Sequence, residues 1–295
     1  MDNPNIYENL NNQMRAKIKK ILNEHRFHWR ANGTDSLLDI GFGPGDITVD
    51  TLLPLLPHNF ERLVGVDISN EMVKHARRKY SCARVSFHQL DIGKKIDDQA
   101  FNGIAPFDHI TSFYCLHYVK NLSVAFENMH KLLKTGGDIL ILHIAQAVSF
   151  RIYKRLSQKD QWKKYMFDLD SNVPAADDVD QQIIEFKNMF RRIGFSHCRI
   201  DATNETYTFD NKVLFKRKKF IILLPSVAYY GTIFFPEFYK SVNPFTHRMS
   251  AEDQNAFIED FYLEALDFGL ALDDANHPAC RMSNRHVDFV IYLKN

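Results

Sequence analysis

The sequence has 295 residues, 45% hydrophobic and 25% charged, which suits one elaborated globular domain with a full core. Its formal net charge of +1 excludes a strong field steering it to nucleic acid or to acidic membranes. Four cysteines, Cys82, Cys115, Cys198 and Cys280, form no C-x-x-C pair and no Cys/His cluster of zinc spacing. Reduced thiols in a cytoplasmic setting, and no bound metal, are therefore expected.

In chain order, the stretch beginning MDNPNIYENLNNQMRAK is polar and lacks the apolar segment of a signal peptide. Residues 9–29 carry Leu10, Met14, Ile18, Ile21 and Leu22 on one stripe, the pattern of an amphipathic helix. SLLDIG (36–41) predicts a strand, and GDITVDTLLPLL a helix that Pro54 should end or bend. RLVGVDI (62–68) predicts a strand, and 69–80 a helix capped by Ser69. Further strands are expected over 84–92, within 107–119 and over 136–144, with a helix over 121–133 that Gly136 and Gly137 stop. Helical segments follow at 151–169, at 180–192 with Gly194 as the stop, and at 251–268 with Ser250 and Asp253 as a capping box. Late strands are expected over 198–209 and 286–293. Strands alternating with helices predict a mostly parallel sheet with helices on both faces. The seventeen uncharged residues of 220–236, interrupted by Pro225 and Gly231, fall short of a membrane span and suggest a buried or irregular insertion.

The stretch LLDIGFGPGDIT (37–48) carries the chemistry. Glycine at every second position after a strand lets backbone approach a ligand at a helix start. The dinucleotide fingerprint G-x-G-x-x-G/A would put a small residue at Asp46, whereas the third glycine comes one residue early, at Gly45. Asp39 and Asp46 would repel a diphosphate. They suit a ligand with an ammonium group and a sulfonium and no phosphate, S-adenosylmethionine. Asp67 closes the second strand, where its carboxylate can accept ribose hydroxyls and Ile68 can cover the adenine; capping the next helix is its other use, for which Ser69 is better placed. Asp91 closes the third strand beside Ile92, where an acid can accept the adenine amino group or serve as an ordinary loop acid.

This run resembles the class I S-adenosylmethionine-dependent methyltransferases, which implies a Rossmann-like, seven-stranded α/β fold with two late strands, one antiparallel. The chain further resembles the insect juvenile hormone acid O-methyltransferases. The matching pieces are Tyr7…Gln13, LLDIG-x-G-x-G, LVG-x-DIS-x-x-MV-x-x-A (Leu63–Ala76), F-x-x-LDI (Phe87–Ile92), FDH-x-x-SFY-x-LH (Phe107–His117), Gly137–Asp138 and VNPF (Val242–Phe245). The resemblance implies methylation of farnesoic acid or juvenile hormone acid within juvenile hormone biosynthesis, with S-adenosylhomocysteine as co-product. Cofactor is expected at Asp39, Gly41, Gly43, Gly45, Asp67, Ile68, Asp91, Ile92 and the Phe113 backbone. The acid is expected at Gln13, His117 and Tyr118, where Tyr118 stands in place of a family Trp. A carboxylate acceptor is ionised at pH 7 and wants neutral donors in a dry pocket rather than a general base. Methylation of another small acid or a phenol, or ligand binding without catalysis, is the alternative. The expected organisation is a single domain: 1–35 over the site, 36–144 binding cofactor, and 145–295 supplying cap helices and late strands, with an insertion near 217–240. The partner is a small apolar acid, with no nucleic acid and no stable membrane insertion.

Overall fold

A computed structural model of the chain describes residues 4, 12–25, 27–96, 106–171, 173, 178–211, 243–268 and 280–295. The apolar segment 220–236 and the suspected insertion at 217–240 lie outside the described residues. Two compact units are distinguishable. The larger comprises Asp2–Ala145, Ser171–Thr203 and Val287–Asn295, and the smaller Gln146–Asp170 and Asn204–His286.

The elements are helix α1 (Asn12–Glu24), strands β1 (Ser36–Ile40) and β2 (Arg62–Asp67), helix α2 (Asn70–Tyr80), strands β3 (Val85–Gln89) and β4 (Phe107–Phe113), helix α3 (Leu122–Leu132) and strand β5 (Leu133–Ala147). Helices α4 (Val148–Leu156), α5 (Asp160–Lys163) and α6 (Val179–Ile193), strand β6 (His197–Asn211), helix α7 (Ala251–Asp267) and strand β7 (Cys280–Lys294) follow among the described residues. One seven-stranded sheet runs in the order β3-β2-β1-β4-β5-β7-β6, with β1–β2, β1–β4, β2–β3 and β4–β5 all parallel. This is the mostly parallel, Rossmann-like sheet expected. The strand order reverses between β1 and β4, and the carboxyl ends of those strands are where such sheets hold ligands.

Burial explains the strand sequences. Every residue of β1 and β4 is buried, as expected for central strands covered on both faces. The edge strand β3 alternates instead, burying Val85 and Phe87 while Ser86 and His88 are only half-buried. The two-residue period sends neighbours to opposite faces. Leu38, Ile40, Val64 and Ile141 meet α3 and α6 through Phe126, Met129 and Phe190. Leu37, Leu63, Leu140 and Val290 meet α1 and α2 through Ile18, Ile21, Leu22, Met72 and Val73. Burial of each of the three α1 side chains, at 2–4% exposure, contributes roughly 1.5–3 kcal/mol to holding that helix on the sheet.

Two segments differ from expectation. After the glycine turn the crossover is a wide π turn over Thr48–Leu52, with Leu53 N–H reaching the Thr48 carbonyl, followed by a tight 3-10 turn over Leu53–Leu55. Pro54 has no N–H to give the preceding turn, so the regular helix cannot run through it. Gly136 and Gly137 are not a helix stop. The chain turns extended at Leu133, and the glycines lie inside β5, where the pairing with β4 shifts between Phe107↔Leu133 and His109↔Asp138. Gly136 has φ +79°, and a Cβ on Gly137 would come 2.7 Å from the Asp108 carbonyl oxygen. By contrast, Gly194 does end α6, left-handed at φ +111°.

At the amino edge of the larger unit's sheet, His109 sits between two buried acids, Asp138 at 2.6 Å from Nδ1 and Asp35 at 3.1 Å from Nε2. Tyr292 donates to the other oxygen of Asp138. Within the smaller unit, α4 and α7 are joined by Arg155 to Glu264 and Asp267 and by Tyr153 against Phe261. Asn243 there accepts from the Phe245 and Thr246 amides, which fixes the NPF turn and buries Phe245.

Candidate cofactor and substrate site

The glycine turn leaves the end of β1 with three left-handed residues: Gly41 (φ +74°), Gly43 (φ +60°) and Gly45 (φ +94°). The first and third are glycine because of packing. A Cβ on Gly41 would stand 2.2 Å from the Cys115 sulfur, and one on Gly45 would stand 3.0 Å from the Ala76 Cβ of α2. Gly43 differs, since a Cβ there meets nothing within 4 Å. Its open side is the face from which a ligand can approach the backbone.

Asp39 is buried at the end of β1. Its Oδ2 accepts from the Thr48 hydroxyl at 2.6 Å and its Oδ1 from the Thr111 hydroxyl at 2.9 Å. Register places Thr111 directly opposite Asp39 on β4. Burial pushes the Asp39 carboxyl up to about 6, the two hydroxyls oppose this, and the Asp67 and Asp46 carboxylates add to the rise. The site therefore holds a carboxylate that a nearby positive charge would stabilise.

Asp67 closes β2 and ties two turns together. Its Oδ2 accepts from Gly43 N–H at 2.9 Å and its Oδ1 from Ser69 N–H at 2.8 Å. Burial raises its pKa against those two amides. Ser69 takes the capping position of α2, accepting from Met72 N–H. Each Asp67 oxygen retains acceptor capacity beyond its one amide. Beside it Ile68 is 62% exposed, a large apolar face at the sheet edge. Asp91 accepts from Gly93 N–H at 3.0 Å and has Lys94 at 3.5 Å, while Ile92 is buried and its carbonyl accepts from Asn128.

Asp46 requires a correction. Its carboxylate does not face a ligand as a bare charge: it is buried, and Arg15 of α1 places a guanidinium nitrogen 2.5 Å away. Asp46 pairs with the helix, and the features here that would disfavour a diphosphate are the Asp39 and Asp67 carboxylates and the Gly43 amide already committed to Asp67. A phosphate-binding turn needs such amides free. The donor set thus fits a cationic, phosphate-free ligand with hydroxyls and a flat apolar face.

At the end of β4, Phe113 is buried and Tyr114 adopts φ +52°, the one non-glycine residue with positive φ among those described. Its amide donates to Leu142 and its hydroxyl to Asp288. Such strain concentrates at functional turns. The 3-10 turn Leu116–Tyr118 follows. His117 is buried, its ring 4.1 Å from that of Tyr118 and 6.0 Å from that of His143 on β5. Burial raises the Tyr118 hydroxyl above its usual range, with Cys115 adding to the effect. His143 is held down to about 4 by burial. Both groups are therefore neutral at physiological pH. Gln13 lies in α1 by its backbone; its side chain is outside the described residues.

The larger unit thus brings Asp39, the three glycines, Asp67, Ile68, Asp91, Ile92 and Phe113 to the carboxyl ends of β1–β4, with His117 and Tyr118 on the next turn. The sequence did not point to Thr48, Thr111, Cys115, His143 or the Arg15–Asp46 pair. Only strand register and helix docking bring these to the site, and a threonine inside a strand carries no local signal of its partner.

Comparison with known proteins identifies the family. Residues 32–207 match the model of a methyltransferase domain family. The chain is 32% identical over 265 residues to the juvenile hormone acid O-methyltransferase of Drosophila melanogaster, covering 88% of this chain and 82% of that protein. It is 32% identical over 219 residues to the enzyme of that name from Bombyx mori, covering 74% and 77%. Among solved structures, the YcgJ protein of Bacillus subtilis superposes with a TM-score of 0.53 at 16% identity, covering 95% of this chain and 97% of that one, which shows a shared fold. The chain belongs to the class I S-adenosylmethionine-dependent methyltransferases and is an enzyme related to the insect juvenile hormone acid O-methyltransferases.

Proposed function

We propose that this enzyme esterifies a long apolar carboxylic acid of the isoprenoid class, such as farnesoic acid or juvenile hormone acid, as a step of juvenile hormone biosynthesis. The observation that carries the proposal is the 32% identity to a juvenile hormone acid O-methyltransferase across 88% of the chain. S-Adenosylmethionine supplies an electrophilic methyl group and leaves as S-adenosylhomocysteine. Asp39 and the Gly41–Gly43–Gly45 turn would hold its amino-acid part, Asp67 its ribose, Ile68, Asp91 and Ile92 its adenine, and the Phe113 backbone would border it.

The acceptor acid is ionised at neutral pH, so this chain need not remove a proton. Its task is to orient a carboxylate without quenching it. Gln13, His117 and Tyr118 are assigned that role. A tight Arg or Lys clamp would draw charge away from the attacking oxygen. Burial keeps the Tyr118 hydroxyl protonated, so it can donate, and the His117 ring packed against it limits its swing. Exclusion of water helps because charges of opposite sign merge as the methyl group moves. A cytoplasmic setting is part of the proposal, in keeping with the free thiols Cys82, Cys115 and Cys198. Among the described residues no helix is long and apolar enough to cross a membrane.

The test is to incubate purified protein with methyl-labelled S-adenosylmethionine and a panel of farnesoic acid, juvenile hormone acid, short fatty acids and phenols. Base-labile label is expected with the isoprenoid acids only. Label in phenols, or cofactor binding with no product from any acid, refutes the reading. Gln13→Ala is expected to lower turnover while leaving cofactor affinity nearly intact. Equal loss of both removes Gln13 from its role.

A further inference from the structure

A second concave site lies in the larger unit, at the end of the sheet opposite the glycine turn. The last residues of β7 mark that end, where Asn295 exchanges backbone hydrogen bonds with Gly136 and Gly137 near the start of β5. Here an open cavity of about 660 Å³ lies between the carboxyl end of α1 and the strands β6 and β7. Its volume is in the range of small-molecule sites, roughly 300–1,000 Å³. None of its lining residues belongs to the methyl-transfer site.

Its wall combines flat rings with cations. Four rings line it, from His25, His28, His197 and Tyr292, and those of His197 and Tyr292 stand 6.3 Å apart. The Tyr292 hydroxyl is committed to Asp138, which fixes the orientation of its ring. Arg199 and Lys294 bring positive charge, against Glu24 as the one carboxylate of the lining. Arg199 uses Nε on Asp201 at 3.0 Å and one terminal nitrogen on His25 at 2.5 Å. The rest of its five-donor fork remains available. Burial, and next the Arg199 guanidinium, lower the His25 pKa, so its ring accepts from Arg199 without adding a competing charge. Among the described residues Lys294 enters no ion pair, and its carbonyl accepts from Ser196 N–H and Ser196 Oγ. The backbone at Lys294 is thus anchored while its ammonium is uncommitted.

We propose that this cavity binds a small aromatic oxyanion of nucleoside-monophosphate size, its heterocycle against the Tyr292 and imidazole rings and its oxyanion toward Arg199 and Lys294. Rings supply stacking for a flat body and a guanidinium with an ammonium supplies a site for phosphate or carboxylate. The ring-lined half of that wall suits a flat body rather than the long aliphatic chain of the acid proposed as methyl acceptor.

The test is calorimetric titration of the full chain, saturated throughout with S-adenosylhomocysteine so that adenosine groups cannot enter the cofactor site. Probes are adenosine monophosphate, adenosine, inorganic phosphate and indole-3-acetate. Adenosine monophosphate is expected to bind about tenfold or more tighter than adenosine or phosphate alone, and more weakly as salt rises. Lys294→Ala and Arg199→Ala are each expected to weaken it about fivefold or more, with S-adenosylhomocysteine affinity unchanged. Indole-3-acetate binding with the same variant dependence, in place of the nucleotide, supports the site and assigns it to carboxylates. Absence of binding by both aromatic anions at millimolar concentration overturns the proposal, as does binding that neither variant weakens. If S-adenosylhomocysteine itself fails to bind while the variants still govern the anion, the cofactor assignment falls and this one stands.

Discussion

Replacing Asp39 by Asn should make the protein more stable and a poorer binder of its cofactor. Asp39 is 2% exposed, and burial lifts its pKa from 3.8 to about 6. A group whose native pKa lies above its unfolded value binds more protons when folded, so stability falls as pH rises through that interval. At 1.36 kcal/mol per pH unit, holding Asp39 charged costs the folded chain about 3 kcal/mol at pH 8 and about 1 kcal/mol at pH 4.5. Asn has the same shape and can donate to one hydroxyl, Thr48 or Thr111, and accept from the other, since both rotate. Asp39→Asn is therefore expected to gain about 1–3 kcal/mol at pH 8 by urea unfolding, and clearly less at pH 4.5. The same change removes the charge proposed to attract the cationic end of the cofactor. Calorimetry should show S-adenosylmethionine affinity falling about tenfold or more, worth at least about 1.4 kcal/mol. A variant less stable than the parent at pH 8, or equally shifted at both pH values, would refute the burial argument. Unchanged cofactor affinity would refute the electrostatic one.

Four further outcomes are expected. Gly43→Ala places its Cβ in open space, so it should cost about 1–2 kcal/mol for the left-handed backbone while sharply weakening S-adenosylmethionine. Gly41→Ala drives into Cys115 and should destabilise more, about 2–4 kcal/mol by thermal melting; the reverse order would place the ligand elsewhere. Arg15→Ala withdraws the guanidinium from buried Asp46 and should cost about 1–3 kcal/mol, discounted because Arg15 is partly exposed; a neutral result would deny that this pair anchors α1. His109 is burdened by burial, yet its bonds and charges with Asp138 and Asp35 outweigh this and hold its pKa above 6.5. Its contribution is present in full below pH 6.5 and is lost as pH rises through the native value. His109→Gln should flatten that decline in pH-dependent unfolding, and an unchanged profile would show that the network does not titrate there.

Much of the fold was legible because its signals are local. The apolar run into Asp39, the alternate glycines, the Ser69 cap before α2 and Gly194 after α6 each act within a few residues, through backbone sterics and side-chain period. The acids at the ends of β1, β2 and β3 were legible as well, since a parallel sheet must bring those ends to one edge. Pro54 was legible as the point where the crossover helix would end or bend, though the π turn before it was not. Where the local reading failed, a distant group intervened: the Asp108 carbonyl explains a glycine that resembled a helix stop. Electrostatics was the least legible part. Asp46 and Asp39 look alike in the sequence, yet Arg15 on another helix makes the first an anchor, and enclosure with two threonine hydroxyls makes the second a strained, ligand-seeking carboxylate. The strength of a charge depends on its burial and its partners, and those were settled only when α1 docked and β4 came into register beside β1.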